Sequence, residues 1–169
     1  IEAGLRSFDE RMPEEINRKL IDQLSNILFV PTEVDIVNLQ KERLLLNKKV
    51  FKVGNTISDV IKKNAPLLKK NNILKKLKLI KDNYFLITLH RPETVDNPVK
   101  FKKLILIFEK LGKKFNKKFI FPTHPRTKKI IKKMKIDKIN FIEFIEPLEF
   151  LNFLSLMKNS NIVFTDSGG

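Results

Sequence analysis

Cysteine is absent from this sequence, and histidine is scarce, with two residues among 169. Without cysteine the chain can form no disulfide framework and no thiolate zinc site, which excludes zinc fingers and thiol-based catalysis. Two histidines are too few for most histidine-built metal centres. We therefore expect no metal site.

Long apolar runs are also absent. No uninterrupted apolar stretch approaches the roughly 20 residues that a membrane helix needs. The N-terminus lacks the charged, apolar and small-residue order of a signal peptide. We therefore expect a cytoplasmic protein that makes no membrane contact.

The chain is rich in apolar surface and in positive charge. Hydrophobic residues make up 42% of it, including 14 Phe, which is enough for a packed core. The formal net charge of +15 raises the alternative of a non-catalytic, basic nucleic-acid-binding fragment. The lysines, however, are scattered through amphipathic segments and are not interleaved with exposed aromatic residues, as single-strand binders would need. We interpret them as solvated helix faces and expect no nucleic-acid partner.

The apolar pattern predicts an α/β fold. Short apolar runs alternate with longer amphipathic stretches, which is typical of βαβ units and a parallel sheet. Strands are predicted at residues 27–30, 50–53, 84–89, 119–121, 140–145 and 161–165. Helices are predicted at residues 13–24, 32–46, 98–111 and 126–134, and from a first turn containing Pro147 to about residue 158. Thr32 and Asp35 fit a capped helix start.

A change of pattern after residue 53 divides the chain. Gly54, Asn55 and Thr56 interrupt the strand, and a lysine-rich helical stretch leads to Ile80. We place the boundary between two α/β halves between residues 55 and 83. The abrupt first and last residues have the appearance of cuts through motifs.

Carboxylates are concentrated near the start of the chain. Glu2 lies in a loop, and Glu14 and Glu15 lie in the first turn of a predicted helix. Such carboxylates could converge on a substrate, one accepting a proton while another donates one. The alternative is that Glu14 and Glu15 only complement the helix dipole, worth about 0.3–1 kcal/mol each.

Histidine and arginine occur together after two predicted strands. His90 and Arg91 follow the strand at 84–89, and His124 follows the strand at 119–121. Open α/β sheets bind ligands at such strand ends, and these side chains could bind a phosphate. The alternatives are a structural histidine at position 90 and a proline-built turn around His124.

The last residues form a small polar motif after an apolar strand. Gly168 and Gly169 would let backbone N–H groups approach an anion, and Ser167 adds a hydroxyl. A following helix would bring its positive N-terminal end. Ordinary turns have a similar composition, so the motif alone does not distinguish a phosphate site from a turn.

Six motifs together resemble one protein family. The chain contains EAGLRSFDERMPEEINR, FVPTE, VGNT, TLHRPE, THPR and TDSGG. Their order and spacing are similar to those of the non-hydrolysing UDP-N-acetylglucosamine 2-epimerases, over essentially the whole chain. The resemblance implies two Rossmann-like domains of the GT-B type, both incomplete here. Residues 1–55 would be the later part of the first domain, residues 56–82 a helical connection, and residues 83–169 the earlier part of the second, UDP-binding domain.

The resemblance also implies a function. Family members interconvert UDP-N-acetylglucosamine and UDP-N-acetylmannosamine by eliminating UDP and adding it back, without a cofactor. The implied partners are a UDP-sugar substrate and a second copy in a homodimer, and the chain alone would be inactive. A hydrolysing UDP-N-acetylglucosamine 2-epimerase and a UDP-diacetamido-uronic acid 2-epimerase stay as alternatives.

Roles for single residues follow from the same resemblance. Glu2 and Glu14 match the family's carboxylates for proton transfer or catalytic positioning, and His90 matches its diphosphate-contacting, catalytic histidine. UDP-binding residues are matched by Phe153, near the uracil, and by the phosphate loop of Ser167, Gly168 and Gly169.

Arg91 and His124 match positions that help to bind a second UDP-N-acetylglucosamine in allosteric bacterial members. The bacterial HRRE motif reads His90-Arg91-Pro92-Glu93 in this chain. This departure could alter such an activator site.

Overall fold

Six strands, all in parallel pairs, carry the fold of the residues described by the computed structural model, which are 1–134, 136 and 139–167. They form a two-stranded sheet and a four-stranded sheet. The chain divides accordingly into unit 1, Ile1–Ala65, and unit 2, Pro66–Gly169. This division falls within the lysine-rich stretch at residues 56–82.

Unit 1 is a helix followed by a βαβ element. Its elements are α1 (Pro13–Leu24), β1 (Ile27–Val30), α2 (Glu33–Lys41) and β2 (Lys49–Lys52). Strands β1 and β2 pair in parallel, with Ile27 opposite Lys49. The small core contains Ala3, Leu28, Val30, Leu39 and Leu44.

Helix α2 begins as predicted but ends early. Thr32 and Asp35 form a reciprocal capping box at its start. The predicted end near residue 46 is wrong, because Arg43 has a left-handed φ of 57°. The Leu44 N–H then donates to the Leu39 carbonyl at 2.9 Å, which turns the chain so that Leu44 reaches the core.

Unit 2 is a sheet of strand order β5-β4-β3-β6 with helices between its strands. Helix α3 (Thr56–Lys69) crosses the division between the units. The elements that follow are α4 (Ile73–Lys76), β3 (Tyr84–Thr88), α5 (Pro92–Val95), α6 (Pro98–Phe115), β4 (Lys118–Pro122), α7 (Pro125–Lys133), β5 (Ile142–Ile145), α8 (Phe150–Asn159) and β6 (Ile162–Thr165). No helix in the described part of the chain is long and apolar enough to cross a membrane.

Two helix predictions in unit 2 are wrong in detail. The stretch from residue 56 to 80 is two helices, with α3 ending at Lys69 and α4 beginning at Ile73. Helix α8 begins at Phe150 instead of including Pro147, because Glu149 is extended at the N-cap. The residues before it leave the sheet edge and place Leu148 against the core. The short helix α5 was not predicted.

Apolar layers cover both faces of the unit 2 sheet, because successive side chains along a strand point to opposite faces. Phe85 and Phe119 pack on one face with Phe108 of α6. Tyr84 and Leu86 belong to the cluster that contains Leu156 of α8. The Tyr84 hydroxyl donates to the Leu156 carbonyl at 2.6 Å, and burial raises the pKa of Tyr84 to about 12.

Phe119 should be one of the main supports of unit 2. Its ring centroid lies 4.9 Å from that of Phe85 and 5.1 Å from that of Phe108, and the side chain is fully buried. We expect Phe119→Ala to lower the free energy of unfolding by about 3–5 kcal/mol. Phe150→Ala, at an aromatic that is 48% exposed, is the matched control in urea denaturation followed by circular dichroism. Equal losses in both variants would contradict the proposed packing.

Candidate functional site

The strand order of the unit 2 sheet reverses at β3. From β3 the chain moves outward to β4 and β5, and then returns to form β6 on the other side of β3. In open parallel sheets, ligands bind at the carboxyl ends of the strands where the order reverses in this way. In unit 2 that position is the carboxyl end of β3 and β6, which we call the unit 2 edge. His90 follows β3 there, and Ser167 follows β6.

The Asp166 carboxylate joins these two strand ends. Its oxygens accept the backbone N–H of His90 at 3.1 and 3.2 Å and that of Arg91 at 3.0 Å. His90 Nδ1 lies 3.2 Å from Asp166 Oδ1. The predicted phosphate-binding residues of the two loops are therefore held together by a single side chain.

The histidines and Arg91 lie at neighbouring strand ends. The His90 side chain is 61% exposed, whereas Arg91 is half-buried and lies 3.6 Å from Glu93. His124 is exposed after β4. Thr123, between β4 and His124, is buried, and its backbone N–H donates to the Ile145 carbonyl at 3.0 Å. This bond holds the start of the loop that contains His124.

The other UDP-binding candidates differ in their surroundings. Ser167 is exposed, and its N–H donates to the Thr165 hydroxyl at 2.9 Å. Phe153 is half-buried on α8 and packs against the cluster that contains Leu86. Gly168 and Gly169 lie outside the described residues. The UDP-binding roles of these four residues stay predictions.

In unit 1, a set of side chains holds the loop that begins with Glu2. The Gly4 N–H donates to Asp22 Oδ2 at 2.9 Å, and the Gly4 carbonyl accepts from Asn38 Nδ2 at 3.0 Å. Gly4 has a φ of 79°, and a Cβ there would lie 2.3 Å from the Asp35 carbonyl oxygen. Only glycine therefore fits at this position.

Glu2 itself is exposed at the start of this loop. Its backbone has a left-handed φ of 59°, and its carboxylate lies 3.6 Å from Arg18 Nη2 on α1. Glu14 is also exposed, in the first turn of α1. The two carboxylates are thus open to solvent, and their catalytic roles stay predictions.

A fully buried guanidinium lies beneath the loop. Arg6 donates to both oxygens of Glu42 at 2.7 and 2.6 Å and lies 2.8 Å from Asp22. The bond to Glu42 raises the pKa of Arg6 further above its ordinary value, against the effect of burial. The same bond lowers the pKa of Glu42. Asp22 and Glu42 thus supply the partners that a buried guanidinium requires, since burying an unpaired charge is costly.

Glu15 anchors the next part of the loop. Its fully buried carboxylate accepts from the Ser7 N–H at 2.8 Å, the Ser7 hydroxyl at 3.1 Å and the Phe8 N–H at 3.3 Å. Burial alone would raise the pKa of Glu15, but these hydrogen bonds outweigh it and lower the pKa. The alternative that Glu15 only complements the helix dipole is therefore wrong.

Four residues that hold these loops were not predicted individually from the sequence: Asp22, Asn38, Glu42 and Asp166. One signal for Asp22 exists: it lies seven residues after Glu15 on α1, which places both carboxylates on one helix face. Asp166 is part of the TDSGG motif, but its partners lie 75 and 76 residues away in the chain. Pairs so distant in sequence have no local signature.

The chemistry of the unit 2 edge suits an anion. His90 and Arg91 follow β3, and Ser167 follows β6. Imidazole, guanidinium and hydroxyl groups are donors that match phosphate oxygens. Among residues 1–134, 136 and 139–167, no group of three or more His, Asp or Glu is arranged to hold a metal ion.

The known proteins that this chain resembles are described as 2-epimerases of UDP-sugars. The family model described as UDP-N-acetylglucosamine 2-epimerase matches residues 1–169. The chain is 45% identical to the UDP-N-acetylglucosamine 2-epimerase of Methanocaldococcus jannaschii, over 100% of this chain and 48% of that protein. It is 38% identical to the UDP-2,3-diacetamido-2,3-dideoxy-D-glucuronate 2-epimerase of Pseudomonas aeruginosa, over 100% of this chain and 46% of that protein.

A crystal structure of the Methanocaldococcus jannaschii UDP-GlcNAc 2-epimerase in complex with UDP-GlcNAc and UDP is similar, with a TM-score of 0.87 at 44% identity. The match covers 99% of this chain and 48% of that one. The chain thus spans about half the length of the curated relatives it matches. The predicted fold class, α/β with Rossmann-like units of the GT-B type, is confirmed.

Glu15 and Glu42 should make folding sensitive to acid. Because the folded-state pKa values of Glu15 and Glu42 lie below their ordinary value of 4.5, their contribution is present above that pH and is lost as pH falls through the folded-state values. Glu15→Gln should lower the free energy of unfolding by about 1–3 kcal/mol at neutral pH. It should also flatten the loss of stability below about pH 5, the upper end of this carboxylate range.

Glu14→Gln is the matched control, since Glu14 is the exposed neighbour of Glu15 on the same helical turn. We expect it to leave both the stability and its dependence on pH unchanged. Urea denaturation at neutral and acidic pH measures both variants. A Glu15→Gln protein that unfolds like Glu14→Gln would contradict the anchoring role of Glu15.

Proposed function

Because this chain belongs to the UDP-N-acetylglucosamine 2-epimerase family, we propose that the full-length protein interconverts UDP-N-acetylglucosamine and UDP-N-acetylmannosamine without hydrolysis. The observation that carries the proposal is the reversal of strand order between β3 and β6. It brings the loops of His90 and Ser167 to one edge, where a diphosphate would be bound. The Methanocaldococcus jannaschii complex with UDP-GlcNAc and UDP supports the same ligand class.

The reaction that we propose has two halves. The C2 proton leaves to a base while the bond between C1 and the UDP oxygen breaks, which gives a 2-acetamidoglucal and UDP. UDP then adds back to C1, and a proton is delivered to C2 from the opposite face. No bond to water forms at C1, so the sugar and UDP are rejoined with only the C2 configuration changed.

Two carboxylates are proposed for the proton transfers at C2. Glu2 and Glu14 are exposed, so either side chain is accessible to a bound sugar. The buried bonds from Asp22 and Asn38 to Gly4 hold the backbone two residues from Glu2. A carboxylate on a fixed loop needs less reorganisation when the proton is transferred.

The departing diphosphate requires stabilisation, because negative charge grows on it as the C1–O bond breaks. His90 is the proposed donor, since its side chain is exposed at the edge. Ser167 adds a hydroxyl from the neighbouring loop. We place the uracil near Phe153 and a second nucleotide sugar near Arg91 and His124, as the family resemblance suggests.

Two other substrate reactions remain as alternatives. The 38% identity to a UDP-2,3-diacetamido-2,3-dideoxy-D-glucuronate 2-epimerase over the whole chain favours testing that uronic acid sugar. A hydrolysing enzyme would instead release free UDP and N-acetylmannosamine. Product analysis by NMR separates the three reactions. Only hydrolysis accumulates UDP, and the two epimerisations differ in which UDP-sugar is converted. A homodimer and a cytoplasmic location stay predictions.

Solvent deuterium tests the mechanism directly. Full-length protein incubated with UDP-N-acetylglucosamine in deuterated water should give products with deuterium at C2, since the C2 proton is lost to a base and replaced from solvent. NMR and mass spectrometry of the recovered UDP-sugars measure the exchange. Epimerised product without deuterium would exclude the elimination route, and the absence of any product would contradict the proposed activity.

Variants of the carboxylates test their assignment. Glu2→Gln and Glu14→Gln should each lower kcat by about 10²–10⁴-fold, the range typical of a lost general acid or base. Glu10→Gln is the matched control, because Glu10 lies in the same segment and pairs only on the surface with Lys19 at 3.2 Å. A normal kcat in either of the first two variants would remove that residue from the mechanism.

A further inference from the structure

Asp166 and His90 form a paired acid and imidazole at the unit 2 edge. The Asp166 side chain is 11% exposed, whereas that of His90 is 61% exposed. Nδ1 of His90 lies 3.2 Å from Asp166 Oδ1. The less exposed member of the pair therefore contacts one ring nitrogen, while most of the His90 side chain is open to solvent.

The Asp166 carboxylate favours one position of the imidazole proton. An ionised carboxylate only accepts hydrogen bonds, so a proton on Nδ1, which lies 3.2 Å from it, is favoured over a lone pair there. In neutral His90 this places the proton on Nδ1 and leaves Nε2 as the nitrogen without one.

The backbone of His90 is held by the same carboxylate. The same carboxylate accepts the N–H of His90 and the N–H of Arg91. The Asp166 N–H in turn lies 3.4 Å from the Thr88 carbonyl of β3. Main chain and ring of His90 thus share one anchor on the neighbouring loop.

We propose that Asp166 is a positioning residue that holds the His90 proton on Nδ1 and directs Nε2 toward the diphosphate. This inference rests on the proposed function of the unit 2 edge. A second proton on Nε2 would then be donated to a phosphate oxygen as negative charge develops there. The Asp166 carboxylate compensates the positive charge that the ring carries in that state.

A purely structural role for Asp166 makes a different prediction. If Asp166 only ties two loops together through backbone N–H groups, then the position of the imidazole proton should not depend on it. In Asp166→Asn the amide oxygen can still accept a backbone N–H, whereas the amide NH₂ can donate to Nδ1. A positioning role then requires the proton to move to Nε2.

The test is the tautomer of His90 in the full-length protein, measured by ¹⁵N chemical shifts of the imidazole at a pH of about 9, well above the usual histidine range. Assignment uses His90→Gln to identify the resonance. We expect Nδ1 to be protonated in the wild-type protein and Nε2 in Asp166→Asn. Asp82→Asn, the same substitution at an exposed carboxylate before β3, should resemble wild type.

Kinetics provide the second measurement. Asp166→Asn should lower kcat with the UDP-sugar by at least about 10²-fold and change KM by much less, whereas Asp82→Asn should leave kcat unchanged. A wild-type His90 protonated on Nε2, or an Asp166→Asn protein with the wild-type tautomer and kcat, would overturn the proposal.

The two proposals fail in distinguishable ways. The wild-type tautomer is measured without turnover and without any variant of Asp166, so a poorly folded Asp166→Asn protein does not prevent a decision. A protein that has the expected tautomer but does not epimerise UDP-sugars would contradict the proposed function alone. A protein that epimerises with the opposite tautomer would contradict the role of Asp166 alone.

Discussion

Strand β3 is the constraint on which the arrangement of unit 2 depends. It pairs with β4 on one side and β6 on the other, and four of its five residues are buried. A buried strand must satisfy its backbone N–H and C=O groups through neighbouring strands, so both neighbours are required. Because all three run parallel, their carboxyl ends meet at one edge. The central pairing therefore determines which loops can share a ligand.

In unit 1, charged side chains hold the loop that begins with Glu2. The buried Arg6 guanidinium binds Asp22 and Glu42, and the buried Glu15 carboxylate accepts from Ser7. Burying charges is costly unless each one is paired and hydrogen-bonded. Hydrogen bonds and ion pairs depend on direction as well as distance, so they restrict the loop to fewer conformations than an apolar contact of similar size would. Fixed geometry matters more than net stability if this loop carries Glu2 as the carboxylate that we propose for proton transfer.

Much of the fold followed from local patterns. The parallel strands and the capped start of α2 were predicted because apolar alternation and capping are properties of neighbouring residues. The early end of α2 and the late start of α8 were missed, because Leu44 and Leu148 turn toward cores built from distant segments. His90 and Ser167 were predicted as site residues from their motifs, whereas the contacts of Asp166 and Glu42 depend on partners far away in the chain.

The sequence by itself determined the α/β class, the family and the residue types available for proton transfer and phosphate binding, since these depend on composition, periodicity and motifs. The tertiary structure decided which of those groups are buried. Helix α1 illustrates this, because it buries Glu15 and Asp22 while Leu20 and Leu24 stay exposed. It also decided that Asp166, 76 residues from His90, becomes its partner. Strand order sets such pairings, because long-range backbone hydrogen bonds bring together residues that no local pattern connects.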